Sequence, residues 1–209
     1  MRLVLASNNP GKLAELQSLF APLGLQLVAQ GRLGIGEAEE PHATFVENAL
    51  AKARHAAAAA GEAAIADDSG LVVDALGGAP GVASAHFAAI ACSDGDREAQ
   101  RRPQDAANNA LLLERMAGRS DRGARFVSTL VAVRNAADPE PLVAVGRWSG
   151  EIARSPRGEG GFGYDPLVFI PALGRTVAEL DAAAKNAASH RALAARRMLV
   201  LMREVWRLD

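Results

Sequence analysis

The chain has 209 residues and is 49% hydrophobic, enough to bury a core as one large domain or two small lobes with no covalent staple. A formal net charge of -1 and a pI near 6.4 exert no global pull on nucleic acid or an anionic membrane, so a polyanion must be met by a local basic site and a small ligand is expected. Cys92 is the only cysteine, which excludes an internal disulfide and a cysteine-based zinc cluster, suits a reducing compartment and reads as a bystander.

No apolar run reaches membrane-spanning length, and the stretch Met1 to Ala6 is too short for a signal-peptide core, so a cytoplasmic protein is expected. Arg2 to Ala6 reads as a short buried strand. The polar turn Ser7 to Gly11 follows, then an amphipathic helix with Leu13, Leu16, Leu19 and Phe20 on its apolar face. Pro22 and Gly24 punctuate that helix, Leu25 to Val28 resumes an extended pattern, and Gly31 to Pro41 is a loop rich in glycine and glutamate. A second helix is predicted from Thr44 to Ala60, with Thr44 as N-cap, Glu47 completing a capping box and Gly61 as its stop.

Ala63 to Ile65 and Leu71 to Val73 flank Asp67-Asp68-Ser69-Gly70, which reads as a strand entering a tight turn, Gly70 permitting the reversal. Gly77 to Gly81 forms a kinked loop, Ala106 to Met116 a third helix, and Ala124 to Val133 and Leu142 to Trp148 two further strands. Pro156 to Pro166 is dense in glycine, which is costly unless the backbone approaches something closely. One last helix is predicted from Ala182 to Trp206. Alternating strands and helices predict an α/β protein with a central mixed β-sheet flanked by helices, its polar loops gathered at strand ends where ligand sites form.

Adjacent strand residues face opposite ways, so only one of Asp67 and Asp68 can easily enter a cleft. The turn Ser7-Asn8-Asn9-Pro10-Gly11-Lys12 at a helix start offers backbone N–H groups, the positive end of the helix dipole and the Lys12 ammonium to a phosphate; a plain capped helix with a solvated lysine fits it equally well. Glu37 to Glu40 form an acidic loop. Ser69 carries a hydroxyl able to bond a phosphate or sugar oxygen.

Four separated segments each bear groups suited to a metal-bound triphosphate: Ser7 to Lys12, Ala66 to Gly70, Gly161-Phe162-Gly163-Tyr164-Asp165-Pro166, and Lys185-Asn186 with Ser189-His190-Arg191. With Phe45 to Ala49, Lys52, Asp74 to Gly81 and Thr176 to Leu180, they make the chain resemble the inosine triphosphate pyrophosphatase family over nearly its whole length. The resemblance implies Mg2+-dependent hydrolysis of ITP, dITP and XTP to the monophosphate and pyrophosphate, a house-cleaning role. It also implies a homodimer and two lobes with an active-site cleft between them. By resemblance, Asp68 is metal ligand and general base, Glu40 the second metal carboxylate, with Glu39 able to replace it in the alignment, and Lys52 a phosphate contact. The magnesium-activated water would make rate rise with pH.

Phe162 is the expected stacking partner for a purine, and donors from His190, Arg191 or the nearby backbone would meet the 6-oxygen. Asp165 could accept from the ring N–H or hold the Arg191 side. Ala83-Ser84-Ala85-His86-Phe87 departs from the family's Tyr-Ser-Ala-Arg-Tyr, replacing an arginine by a shorter, mostly neutral histidine. Two other readings compete: a nucleotide-binding protein with little turnover, and a Maf-like pyrophosphatase acting on other modified nucleotides.

Overall fold

Leu3, Val4 and Leu5 are fully buried because the strand that holds them, β1 (Arg2–Leu5), lies between two parallel neighbours, β2 (Gln26–Ala29) and β3 (Ala64–Val73). A computed structural model describes residues 1–90 and 97–208; Cys92 lies outside them. The other strands are β4 (Gly123–Val133), β5 (Leu142–Ile152), β6 (Val168–Ile170) and β7 (Arg175–Thr176). Among the described residues seven strands hydrogen-bond in the order β2-β1-β3-β4-β5-β6-β7, and β6 runs antiparallel to β5 and β7, so the sheet is mixed, as the sequence predicts. The helices are α1 (Pro10–Phe20), α2 (Phe45–Ala60), α3 (Arg97–Arg115), α4 (Ala182–Ala188) and α5 (His190–Trp206).

The chain divides into two compact units, and the cuts fall inside β3, β4, β5 and α4. The first unit comprises Met1–Ser69, Val127–Arg147 and the chain from Asn186 onward. Its core follows the alternation of strand side chains. Leu3 and Leu5 pack with Leu16 and Phe20 of α1 and Met198 and Met202 of α5 on one face, while Val4 and Ala66 meet Ala49, Ala53, Ala56 and Ala57 of α2 on the other. The alanines of α2 are therefore packing surface: small side chains let α2 lie close to the sheet. The second unit comprises Gly70–Phe126 and Trp148–Lys185 and buries Leu71, Val73, Leu112, Phe126, Ile152, Leu167 and Ile170.

Several sequence expectations need correction. Asp67-Asp68-Ser69-Gly70 is no tight turn but the middle of β3, a ten-residue strand. Pairing and burial override the local preference of Asp, Ser and Gly for turns. The single last helix is two, since Ser189 is extended and its hydroxyl accepts from the Ala192 amide to cap α5. Helix α3 starts at Arg97, with Pro103 inside it. Strand β5 continues to Ile152, and the two short strands β6 and β7 carry too few residues to show a period. Thr44 caps α2 by accepting from the Glu47 amide, but the Glu47 carboxylate accepts from the Thr44 hydroxyl rather than from its backbone, so only half of the capping box forms.

At Gly146 of β5 the α5 backbone lies close against the sheet: a Cβ there would lie 1.9 Å from the His190 carbonyl oxygen and 2.5 Å from the Ala194 nitrogen. Gly146→Ala is therefore expected to destabilise the chain by about 1–3 kcal/mol, read as a lower midpoint in urea unfolding. An unchanged midpoint would mean that α5 can move off β5 at no cost.

Candidate active site

In the first unit, Asp67 is 1% exposed and gathers four side chains. Its Oδ2 lies 2.9 Å from Lys12 Nζ, 3.3 Å from Arg191 Nε and 2.8 Å from the Ser69 hydroxyl, and its Oδ1 accepts from the Ser128 hydroxyl at 2.7 Å. Burial opposes ionisation, but Lys12, Arg191 and the Ser128 hydroxyl outweigh it and hold the carboxyl well below the usual carboxylate range. Arg191, 2% exposed, also pairs through Nη1 with Glu15 and donates from Nη2 to the Ser69 hydroxyl at 3.2 Å.

Asp68, the next residue, faces the other way, as strand geometry requires. Its Oδ1 lies 2.8 Å from Lys52 Nζ, and the same ammonium is 2.7 Å from Glu40 Oε2, so two carboxylates converge on one cation. Asp68 Oδ2 is buried and has no hydrogen-bond partner among the described residues. Burial raises its pKa above the ordinary value; Lys52 opposes this and the nearby Glu40 charge adds to it. Burial would lower the pKa of Lys52, but the two carboxylates win and raise it.

In the second unit, the glycine-rich loop folds around Asp165. Asp165 Oδ2 accepts from the Phe162 amide at 3.0 Å and lies 2.9 Å from Lys185 Nζ. That ammonium sits over the Phe162 ring, 4.6 Å from its centroid. Gly161 has φ +74° and a Cβ there would lie 2.0 Å from Asp165 Oδ2, which accounts for one glycine of the loop. The buried Tyr164 hydroxyl donates to the Ser84 carbonyl at 2.9 Å, and burial raises the phenol pKa.

The structure thus groups Lys12, Glu40, Lys52, Asp68 and Ser69 with Asp67 and Arg191 in the first unit, and Phe162, Gly163, Tyr164, Asp165 and Lys185 in the second. In the Ser7 to Lys12 turn, Asn9 caps α1 by accepting from the Lys12 amide at 3.1 Å, Ser7 accepts from the Asn9 amide, and Pro10 takes the first helical position, leaving Gly11 in the first turn. Asn8 accepts from the Gly31 amide at 2.9 Å. His190 is buried at the start of α5. Ser69 is committed to Asp67 and Arg191. His86 is exposed. Sequence reasoning missed Glu15 and Ser128. Glu15 is one turn from Lys12 on α1, a usable signal; a serine inside an apolar strand gives only a weak one.

A model of the Ham1 family matches residues 3–201. The chain is 71% identical over 206 residues to the dITP/XTP pyrophosphatase of Methylibium petroleiphilum, covering 99% of each. It is 66% identical over 211 residues to the protein of the same name in Leptothrix cholodnii, covering 100% of each. A HAM1 protein from Coxiella burnetii of known structure superposes with a TM-score of 0.86 at 43% identity, covering 98% of this chain and 100% of that one.

The two aspartates differ in what they do for stability. The depressed pKa of Asp67 means that its stabilisation is present above the unfolded value of about 3.9 and is lost as pH falls through the folded one. The raised pKa of Asp68 works the opposite way, its contribution being lost as pH rises through the folded value. At pH 7, Asp67→Asn is expected to cost about 3–5 kcal/mol and to flatten the acid limb of the stability curve, whereas Asp68→Asn should melt at or above the wild-type midpoint. Equal midpoints for Asp67→Asn and wild type at pH 7 would refute the network's role.

Proposed function

The chain belongs to the Ham1 family, and from that membership we propose that it hydrolyses the triphosphates of deaminated purines, ITP, dITP and XTP, to the nucleoside monophosphate and pyrophosphate. The names of its relatives support the substrate class. The observation that carries the chemistry is Asp68, with Oδ1 held on Lys52 and a buried Oδ2 that no protein donor meets.

The residues fit a magnesium ion. Asp68 and Glu40 already converge on one cation, and carboxylate oxygens are the hard donors magnesium prefers. These two would hold it. Among the described residues no group of three or more His, Cys, Asp or Glu side chains gathers as a metal cage, which magnesium tolerates because it keeps waters and takes phosphate oxygens as ligands. When bound, the ion lowers the pKa of a water and offsets phosphate charge.

Asp68 Oδ2 takes the proton of the attacking water as the water oxygen bonds to the α-phosphorus. The bond from that phosphorus to the bridging oxygen breaks, and pyrophosphate leaves with the electron pair. A raised pKa makes Asp68 a stronger base than an exposed carboxylate. The Lys12 ammonium and the positive end of the α1 dipole offset charge on the phosphate oxygens, and Lys52 keeps the Asp68 carboxylate in place.

Phe162 stacks on the purine, contributing about 1–3 kcal/mol for any base. Selectivity against adenine comes from Lys185, whose ammonium beside that ring only donates hydrogen bonds. It favours the 6-oxygen of hypoxanthine or xanthine and opposes the 6-amino group of adenine.

A panel of ITP, dITP, XTP, GTP, ATP and dTTP, scored by pyrophosphate release, tests the reading. The three deaminated purines should lead, activity should vanish with EDTA and return with Mg2+, and Asp68→Asn should lower kcat by about 10²–10⁴-fold with the fold intact. Preference for dTTP would favour a Maf-like activity, and binding of ITP without turnover would leave a nucleotide-binding protein.

A further inference from the structure

The loop that carries Phe162 and Asp165 is held from behind by α3. Asp105 Oδ2 accepts from the Gly163 amide at 2.8 Å, and Asn109 Nδ2 donates to the Gly163 carbonyl at 2.9 Å. Asp105 and Asn109 are four residues apart on one face of the helix, so they grip both sides of the same residue. Gly163 has φ +63° and open space where a Cβ would stand, so glycine is there for backbone conformation, and the two side chains hold that conformation. The same helix also ties down residues 84–88: Asn108 donates to the Ser84 and Ala85 carbonyls and accepts from the Ala88 amide, while the Tyr164 hydroxyl joins Ser84 to the glycine-rich loop.

Holding this grip has a cost in each partner. Asp105 is half-buried and its pKa is raised by burial, which the Gly163 amide and Arg101 only partly offset. Asn109 keeps its Nδ2 on the Gly163 carbonyl although its Oδ1 is buried with no hydrogen-bond partner among the described residues. Neither group belongs to the core or to the carboxylate cluster; what both contact is the backbone between Phe162 and Tyr164.

We propose that Asp105 and Asn109 are positioning residues for base recognition, fixing the Gly163 backbone and through it the Phe162 ring and the Asp165 carboxylate against which purine triphosphates are sorted. The inference rests on the function proposed above. A loop released at Gly163 loses the fixed geometry in which a 6-oxo base is favoured over a 6-amino base, while Asp68, Lys52 and Glu40 stay as they are. Ground-state binding and discrimination therefore suffer, and the chemical step does not.

The experiment is steady-state kinetics on the full chain with ITP and ATP at saturating Mg2+, for Asp105→Ala, Asp105→Asn and Asn109→Ala, each checked by circular dichroism. The alanine variants should raise KM for ITP about tenfold, keep kcat within about threefold, and lower the ITP-to-ATP ratio of kcat/KM about tenfold. Asp105→Asn should recover most of this, because its amide oxygen can still accept from the Gly163 amide. If Asp105→Ala fails to fold, Asn109→Ala decides by the same criteria. An unchanged ITP-to-ATP ratio, or a fall in kcat at constant KM, overturns the inference. A wild-type chain that hydrolyses no purine triphosphate would instead sink the function reading; amide exchange in residues 161–165 then decides, which Asn109→Ala must accelerate and which, unchanged, also overturns the inference.

Discussion

One buried carboxylate organises the first unit. A lone ionised aspartate out of water costs several kcal/mol, and Asp67 is tolerated only because Lys12, Arg191 and two hydroxyls surround it. With Glu15 on Arg191, the cluster holds two negative and two positive charges and is neutral as a whole. Its members come from α1, β3, β4 and α5, so the first turns of two helices are fixed to the sheet by charge as well as by packing. Lys12 is thereby set at the start of α1, where a phosphate would meet both its ammonium and the helix N-terminus.

Strand geometry then divides labour between neighbours. Asp67 and Asp68 are the same amino acid in the same strand, yet β3 turns one into a neutralised core and the other toward Lys52 and Glu40. The first is over-provided with donors; the second has an oxygen with none. Structural support and the base proposed above thus sit on consecutive residues, pushed in opposite directions by the different charges and donors that each meets on its own face of the sheet.

Much of this was legible in the residues. The α/β class, the mixed sheet and the helices α1 and α2 follow from apolar spacing and capping residues, and the matching of separated motifs picked out Asp68, Lys12, Lys52 and Lys185. Local preferences misled where long-range pairing decides: Asp-Asp-Ser-Gly favours a turn in isolation, yet β3 runs straight through it. The helix break at Ser189 was hidden because serine is tolerated inside helices, and only its cap on Ala192 reveals it. Asp105 and Asn109 on α3 leave no motif, since their task is to bond a backbone whose position depends on the whole second unit.

Gly161 limits how this loop can be redesigned. Its absent side chain is the space that Asp165 Oδ2 fills, so any larger residue there would evict the carboxylate and with it the seat of Lys185. Under the function proposed above, engineering toward a different base has to work by exchanging the ring at Phe162 or the cation at Lys185 on α4. The backbone at Gly161 is closed to larger side chains, and replacing that glycine would drive Asp165 away from both Lys185 and the Phe162 amide.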